Sequence, residues 1–72
     1  MEYVPINGEY ITLGQLLKLT DCISTGGQAK PFLQQVKVKV NGEMENRRGR
    51  KLYDGDVVEV EGFGSFKVGT LP

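Results

Sequence analysis

Histidine is absent from the 72 residues, and cysteine occurs once, as Cys22. Without imidazole there are no His-centred triads, no His-metal sites and no imidazole acid–base catalysis. One thiol and no imidazole cannot assemble a zinc site of the usual kinds. A single cysteine also rules out an internal disulfide, which fits a reducing compartment. Cys22, set among Leu19, Asp21 and Ile23, reads as a small apolar residue near a helix end. Long hydrophobic runs are missing too. None approaches the roughly 18 residues of a membrane span, and no charged start leads into an apolar stretch and cleavage site. The expectation is a soluble, cytoplasmic chain without membrane association. A chain of this length holds one hydrophobic core: a single domain over 1–72, its core at about 11–68, as a monomer.

Net charge is also lacking, with nine basic against nine acidic side chains, but the balance is only a sum. Residues 1–29 set Lys18 against Glu2, Glu9 and Asp21. Residues 30–51 set seven basic side chains against Glu43 and Glu45. Residues 52–72 set Lys67 against Asp54, Asp56, Glu59 and Glu61. A local basic field acts on a partner even when the whole chain is neutral.

Two helix starts use the same device. Thr12-Leu-Gly-Gln15 and Thr25-Gly-Gly-Gln28 both fit a capping box, in which the Thr hydroxyl and the Gln side chain serve each other's backbone N–H groups. Leu13, Leu16 and Leu17 then share one helical face, and Ala29, Phe32, Leu33 and Val36 form a second apolar stripe. Asp21 to Ser24 connects the two helices, which are expected to pack as a pair. Pro31 conflicts with a helix begun at Thr25. Either that helix bends there, or it starts near Ala29 with Gly26 and Gly27 as an irregular lead-in.

After Val36 the period becomes two. Val36, Val38 and Val40 alternate with Lys37 and Lys39, and Asn41-Gly42 supplies a hairpin turn. Asp54-Gly55-Asp56 is a second turn, before a strand from Val57 to Glu61. Gly62, Gly64 and Ser65 interrupt the chain before a last strand, Phe66 to Val68. Tyr3 to Ile6 and Tyr10-Ile11 are candidates for a short strand at the start. The expected class is α+β: two packed helices followed by a small antiparallel β-sheet.

The charge concentrates in Asn46-Arg-Arg-Gly-Arg-Lys51. Arginine's planar fork suits phosphate oxygens, and Gly49 lets the backbone approach a ligand. The nearest acids are Glu45 and Asp54, so the run is expected to have no intramolecular partner adjacent in sequence. Basic runs of this kind read as nucleic-acid patches, although a solvated surface loop has the same composition. Lys37 and Lys39 read instead as cross-strand partners of Glu59 and Glu61. The second helix start offers anion-binding N–H groups near Thr25 and Gln28, with Lys30 following; a plain cap would look the same.

The segments "TLGQLLKLTDCISTGGQAKPFLQQ", "VKVNGE" and "RKLYDGDVVEV" resemble the RNA-binding domain of the ribosomal protein S four type, built on the αL motif. With "EGFGSF" they are most similar to small stand-alone bacterial members of the YaaA and YbcJ type. The resemblance covers roughly residues 11–61. It implies binding to structured RNA, ribosomal RNA or the ribosome, through Lys30, Arg47, Arg48, Arg50 and Lys51, with Thr25 and Gln28 at the helix start. It implies no cofactor and no catalysis. The chain departs from the pattern at Gly26, where many members carry a basic residue, and at Pro31.

Two other readings remain. The Val-Asn-Gly turn and Gly-Asp strand also resemble β-grasp sulfur carriers and ubiquitin-like modules, but the sequence ends Gly69-Thr-Leu-Pro72 rather than in Gly-Gly. A protein-interaction module with an acidic partner is the other. Asp54 and Asp56 read as turn residues, not as a catalytic carboxylate pair.

Overall fold

The computed structural model describes residues 1–70; Leu71 and Pro72, part of the ending that argues against a carrier tail, lie outside them. Strand β1 (Glu2–Ile6) opens the chain, followed by the two-residue β2 (Ile11–Thr12). Helix α1 (Leu13–Leu19), a 3-10 turn (Gly26–Gln28) and helix α2 (Ala29–Gln35) come next. Strands β3 (Val38–Val40), β4 (Glu43–Met44), β5 (Lys51–Leu52), β6 (Val57–Val60) and β7 (Gly64–Thr70) complete it. Five strands form one mixed sheet in the order β1-β7-β6-β3-β4, and β2 pairs with β5 in a separate ribbon.

This corrects the expected two packed helices followed by a small antiparallel sheet. The sheet begins before the helices, because Val4 and Ile6 alternate inward along β1 while Tyr3 and Pro5 face out. It is not purely antiparallel, because β1 runs parallel to β7, from Glu2 opposite Phe66 to Ile6 opposite Thr70. The two helices have seven residues each. The main contact of α1 with the helical segment that follows is to the 3-10 turn, not to α2 itself. Gly64 and Ser65, expected as an interruption, lie inside β7 opposite Val60 and Glu59.

Local chemistry accounts for the boundaries. The first capping box closes: the Thr12 hydroxyl accepts from the Gln15 N–H at 3.2 Å, and Gln15 Oε1 accepts from the Thr12 N–H at 2.8 Å. Helix α1 ends with Asp21 in the left-handed region, φ 62°. There the Cys22 N–H bonds the Leu17 carbonyl and the Asp21 N–H bonds that of Lys18, the pairing of a Schellman motif. At the second start only the Gln28 arm forms side-chain bonds, its Oε1 accepting from the N–H groups of Ser24 and Thr25. The Gln28 N–H turns to the Thr25 carbonyl. Helix α2 therefore begins at Ala29, which puts Pro31 in its first turn, where a missing N–H costs no intrahelical bond.

Asn41 and Gly42 both have positive φ, 51° and 86°, as a tight turn between β3 and β4 requires. Asn41 also donates to Asp56 Oδ1 at 3.0 Å and accepts from the Val57 N–H at 2.9 Å, tying two turns together. Asp56 accepts from the Tyr53 N–H, and Asp54 from the Thr70 N–H. These carboxylates are spent on the backbone. The core lies between one sheet face and the helices: Leu13, Leu16 and Leu17 of α1 and Val38, Val40, Val58, Val60 and Val68 of the sheet are all at most 2% exposed. Full burial of each such side chain contributes about 1.5–3 kcal/mol. In α2, Ala29 and Leu33 are buried, while Phe32 and the C-cap residue Val36 are half-buried at the margin.

Candidate nucleic-acid interface

The basic connection between β4 and β5 is anchored at both ends and in its middle. Its exit is held by the β2–β5 ribbon, with Thr12 opposite Lys51 and Ile11 opposite Leu52. Its middle caps α1: the Leu13 N–H donates to the Arg50 carbonyl at 2.8 Å and the Gly14 N–H to the Arg48 carbonyl at 2.9 Å. Two orphan donors of the helix are thus satisfied by the loop. The approach is close: a Cβ at Gly14 would lie in van der Waals contact with the loop, 3.4 Å from the Arg48 carbonyl oxygen.

Glu45 holds the start of the loop, which corrects the expectation of a run without an internal partner. Its Oε2 accepts from Arg47 Nε at 3.0 Å and from the backbone N–H groups of Asn46 and Arg47. Its Oε1 accepts from Arg47 Nη2 at 3.0 Å and Arg50 Nη1 at 2.8 Å. The Glu45 side chain is only 7% exposed, although it lies at the surface, and two guanidinium groups cover it. The Arg47 hydrogen bonds, which outweigh partial burial, lower its carboxyl from 4.5 to about 2, with Arg50 adding to the effect. The carboxylate in turn raises the Arg47 guanidinium further above its usual range.

Arg48 is exposed and has no ion pair among the described residues. With Gly49 it forms one wall of an open groove of about 420 Å³. Thr12, Gln15 and Lys18, with Gly26 and Ala29, complete its lining. Lys18 was missed by the sequence reading, which followed the Leu13, Leu16, Leu17 stripe. Its signal was its spacing, one turn beyond Gly14 and Gln15 on the other face.

The other expected residues are placed as follows. Arg47 is exposed and Arg50 half-buried, both bound to Glu45. Lys30 is exposed on the first turn of α2, next to Ala29, but does not line the groove. Thr25 caps the 3-10 turn, and Gln28 lines a different hollow with Phe32 and Gln35. Lys51 is exposed, its Nζ 4.9 Å from the centre of the Tyr10 ring. The structure therefore gathers Arg47, Arg48, Arg50 and Lys51 on one braced connection and adds Lys18. It does not bring Thr25 and Gln28 to the groove. Lys39 stands opposite Glu59 on β6, but the two form no ion pair among the described residues, and Lys37, expected on the same strand, precedes β3.

Comparisons with known proteins bear on this arrangement. The chain is similar to the probable ribosome maturation protein RlbA of Bacillus subtilis (strain 168), with 65% identity over 65 residues, spanning 90% of this chain and 92% of that protein. Residues 4–68, a range that holds most of β1, both helices, the braced basic connection and most of β7, match the model of the S4 domain. With a match of that extent, the chain belongs to the S4 domain family.

Proposed function

We propose that the protein binds structured RNA through the face made by the basic connection and the groove beside it, that the RNA is ribosomal, and that binding serves ribosome maturation. The observation that carries this is the state of Arg48. Its guanidinium stays exposed while the backbone beneath it is pinned to α1 by the Gly14 hydrogen bond. An unpaired cation on a fixed stretch of backbone suits a phosphate ligand. Lys18 in the same groove, Lys51 on β5 and Lys30 on the first turn of α2 add further exposed cations. Arg47 and Arg50 keep donors beyond those given to Glu45, so they serve as braced secondary contacts. Membership of the S4 domain family and the name of the similar Bacillus subtilis protein support the same reading. Such contacts position the protein on the backbone and carry little base information.

The test is a salt titration of binding to a folded ribosomal RNA fragment. With about three to five phosphate contacts, the log-log slope on double-stranded regions is roughly −3 to −5. Replacing Lys18 and Arg48 together by Ala should weaken binding at least about tenfold and flatten the slope by roughly 2, with the melting temperature nearly unchanged. Binding that ignores salt, or a double variant that binds as well as the parent, would overturn the proposal.

A further inference from the structure

The strand that leaves the basic connection carries a second feature. Lys51 and Tyr53 flank the buried Leu52, so the alternation of β5 puts both on its outer side. Tyr10, preceding Ile11 in the partner strand, reaches the same side, and the Tyr10 and Tyr53 rings lie 5.8 Å apart at 50°. The Lys51 ammonium covers the Tyr10 ring at 4.9 Å. Tyr10 and Tyr53 nevertheless remain 41% and 44% exposed. The backbone beneath Tyr53 is fixed by its hydrogen bond to Asp56 Oδ2 at 2.8 Å. In sequence Tyr53 is the aromatic residue beside the basic run; folding adds Tyr10.

We infer that Tyr53, backed by Tyr10, is a stacking platform for one unpaired nucleobase of the bound RNA, and that Lys51 takes a phosphate flanking that nucleotide. This rests on the RNA-binding reading above and deepens it: the ligand is a helical RNA with a loop or bulge, not a plain duplex. Tyr10 is occupied by the ammonium on one side and by Tyr53 on another, which leaves Tyr53 as the open ring. An aromatic face set beside a cation, on the strand continuous with a phosphate-binding loop, matches a nucleotide, which has a flat base joined to an anion. Stacking of this kind tolerates any base, since every base has a π-face. It adds affinity that salt does not screen.

The experiment uses the full chain and three RNAs that share one stem: an adenine-containing loop, the same loop with abasic sites, and a blunt duplex. The intact loop should bind about tenfold more tightly than the abasic loop, the effect of one stacked base. That ratio should persist as salt rises while all affinities fall together. Tyr10→Leu with Tyr53→Leu should abolish the ratio and leave the salt slope unchanged, whereas Tyr53→Phe should keep it. A 2-aminopurine in the loop should be quenched by the parent and by Tyr53→Phe but not by the double variant. This readout tracks stacking directly, and a melting curve confirms that each variant is folded. Equal binding of intact and abasic loops by the parent overturns the platform and leaves the phosphate-binding reading standing. Failure to bind any of the three RNAs overturns both.

Discussion

Five donors converge on the two oxygens of Glu45, so protonating that one group loosens several parts of the loop together. Its folded value of about 2 lies below the roughly 4.3 of an unfolded glutamate. The carboxylate form is therefore the one that folding favours. Its contribution is fully present above the unfolded value and is lost as pH falls from about 4.5 through about 2. The covering arginines meet solvent, so screening reduces the effect to about 1–2 kcal/mol. Melting curves from about pH 5 down to about 2 should show the parent losing that much more stability than Glu45→Gln. Identical pH profiles for the two would show that Glu45 does not brace the loop. Asp54 and Asp56 illustrate a different use of carboxylates, as acceptors that fix turns.

At the scale of elements, the basic connection and helix α1 depend on each other. The helix gives the loop two N–H donors, and the loop gives the helix two carbonyl caps. Thr12 sits at the joint, as the helix cap and as the strand partner of Lys51. Thr12→Ala should cost about 1 kcal/mol, as loss of an N-cap does, and should speed amide exchange at Leu13 and Gly14 more than at Val58 or Val60. Equal exchange at all four sites would mean that the cap is not local to this joint. Much of this was legible in the sequence. Thr12 and Gln15 announced the cap, Asn41-Gly42 the turn with two positive φ angles, and the Val36, Val38, Val40 alternation a strand that in fact begins at Val38, since Val36 caps α2. These are signals between residues a few positions apart. Pro31 also pointed correctly to Ala29 as one of two possible helix starts. What stayed hidden is long-range. No local period shows that β1 runs parallel to β7, that Tyr10 meets Tyr53, or that Lys18 shares a groove with Arg48. Glu45 was visible as the nearest acid, but only the bend of the chain shows that it reaches Arg50.

For the whole molecule, charge and core occupy different parts of the fold. The basic connection sits over the helix start, outside the five-stranded sheet, so its charges can change without disturbing the valine face. The sheet depends instead on β1, where Val4 and Ile6 are 5% and 3% exposed. Ile6→Ala should destabilise the protein by about 2–4 kcal/mol, whereas Phe32→Ala, at a half-buried margin beside Phe63, should cost only about 1–2 kcal/mol. Denaturant melts that rank the two in the opposite order would place the centre of the core at α2. The parallel pairing of β1 with β7 has a further consequence, in time. Strand β1 is synthesised before β7 yet finds its hydrogen-bonding neighbour only in residues 64–70, at the far end of the described chain. Closing that circuit requires the entropy of nearly the whole chain, and such non-local contacts slow folding. A nascent chain can form α1, its cap and the β3–β4 hairpin early. It cannot complete the sheet until β7 has left the exit tunnel, so until then Val4 and Ile6 remain open to any other strand edge nearby.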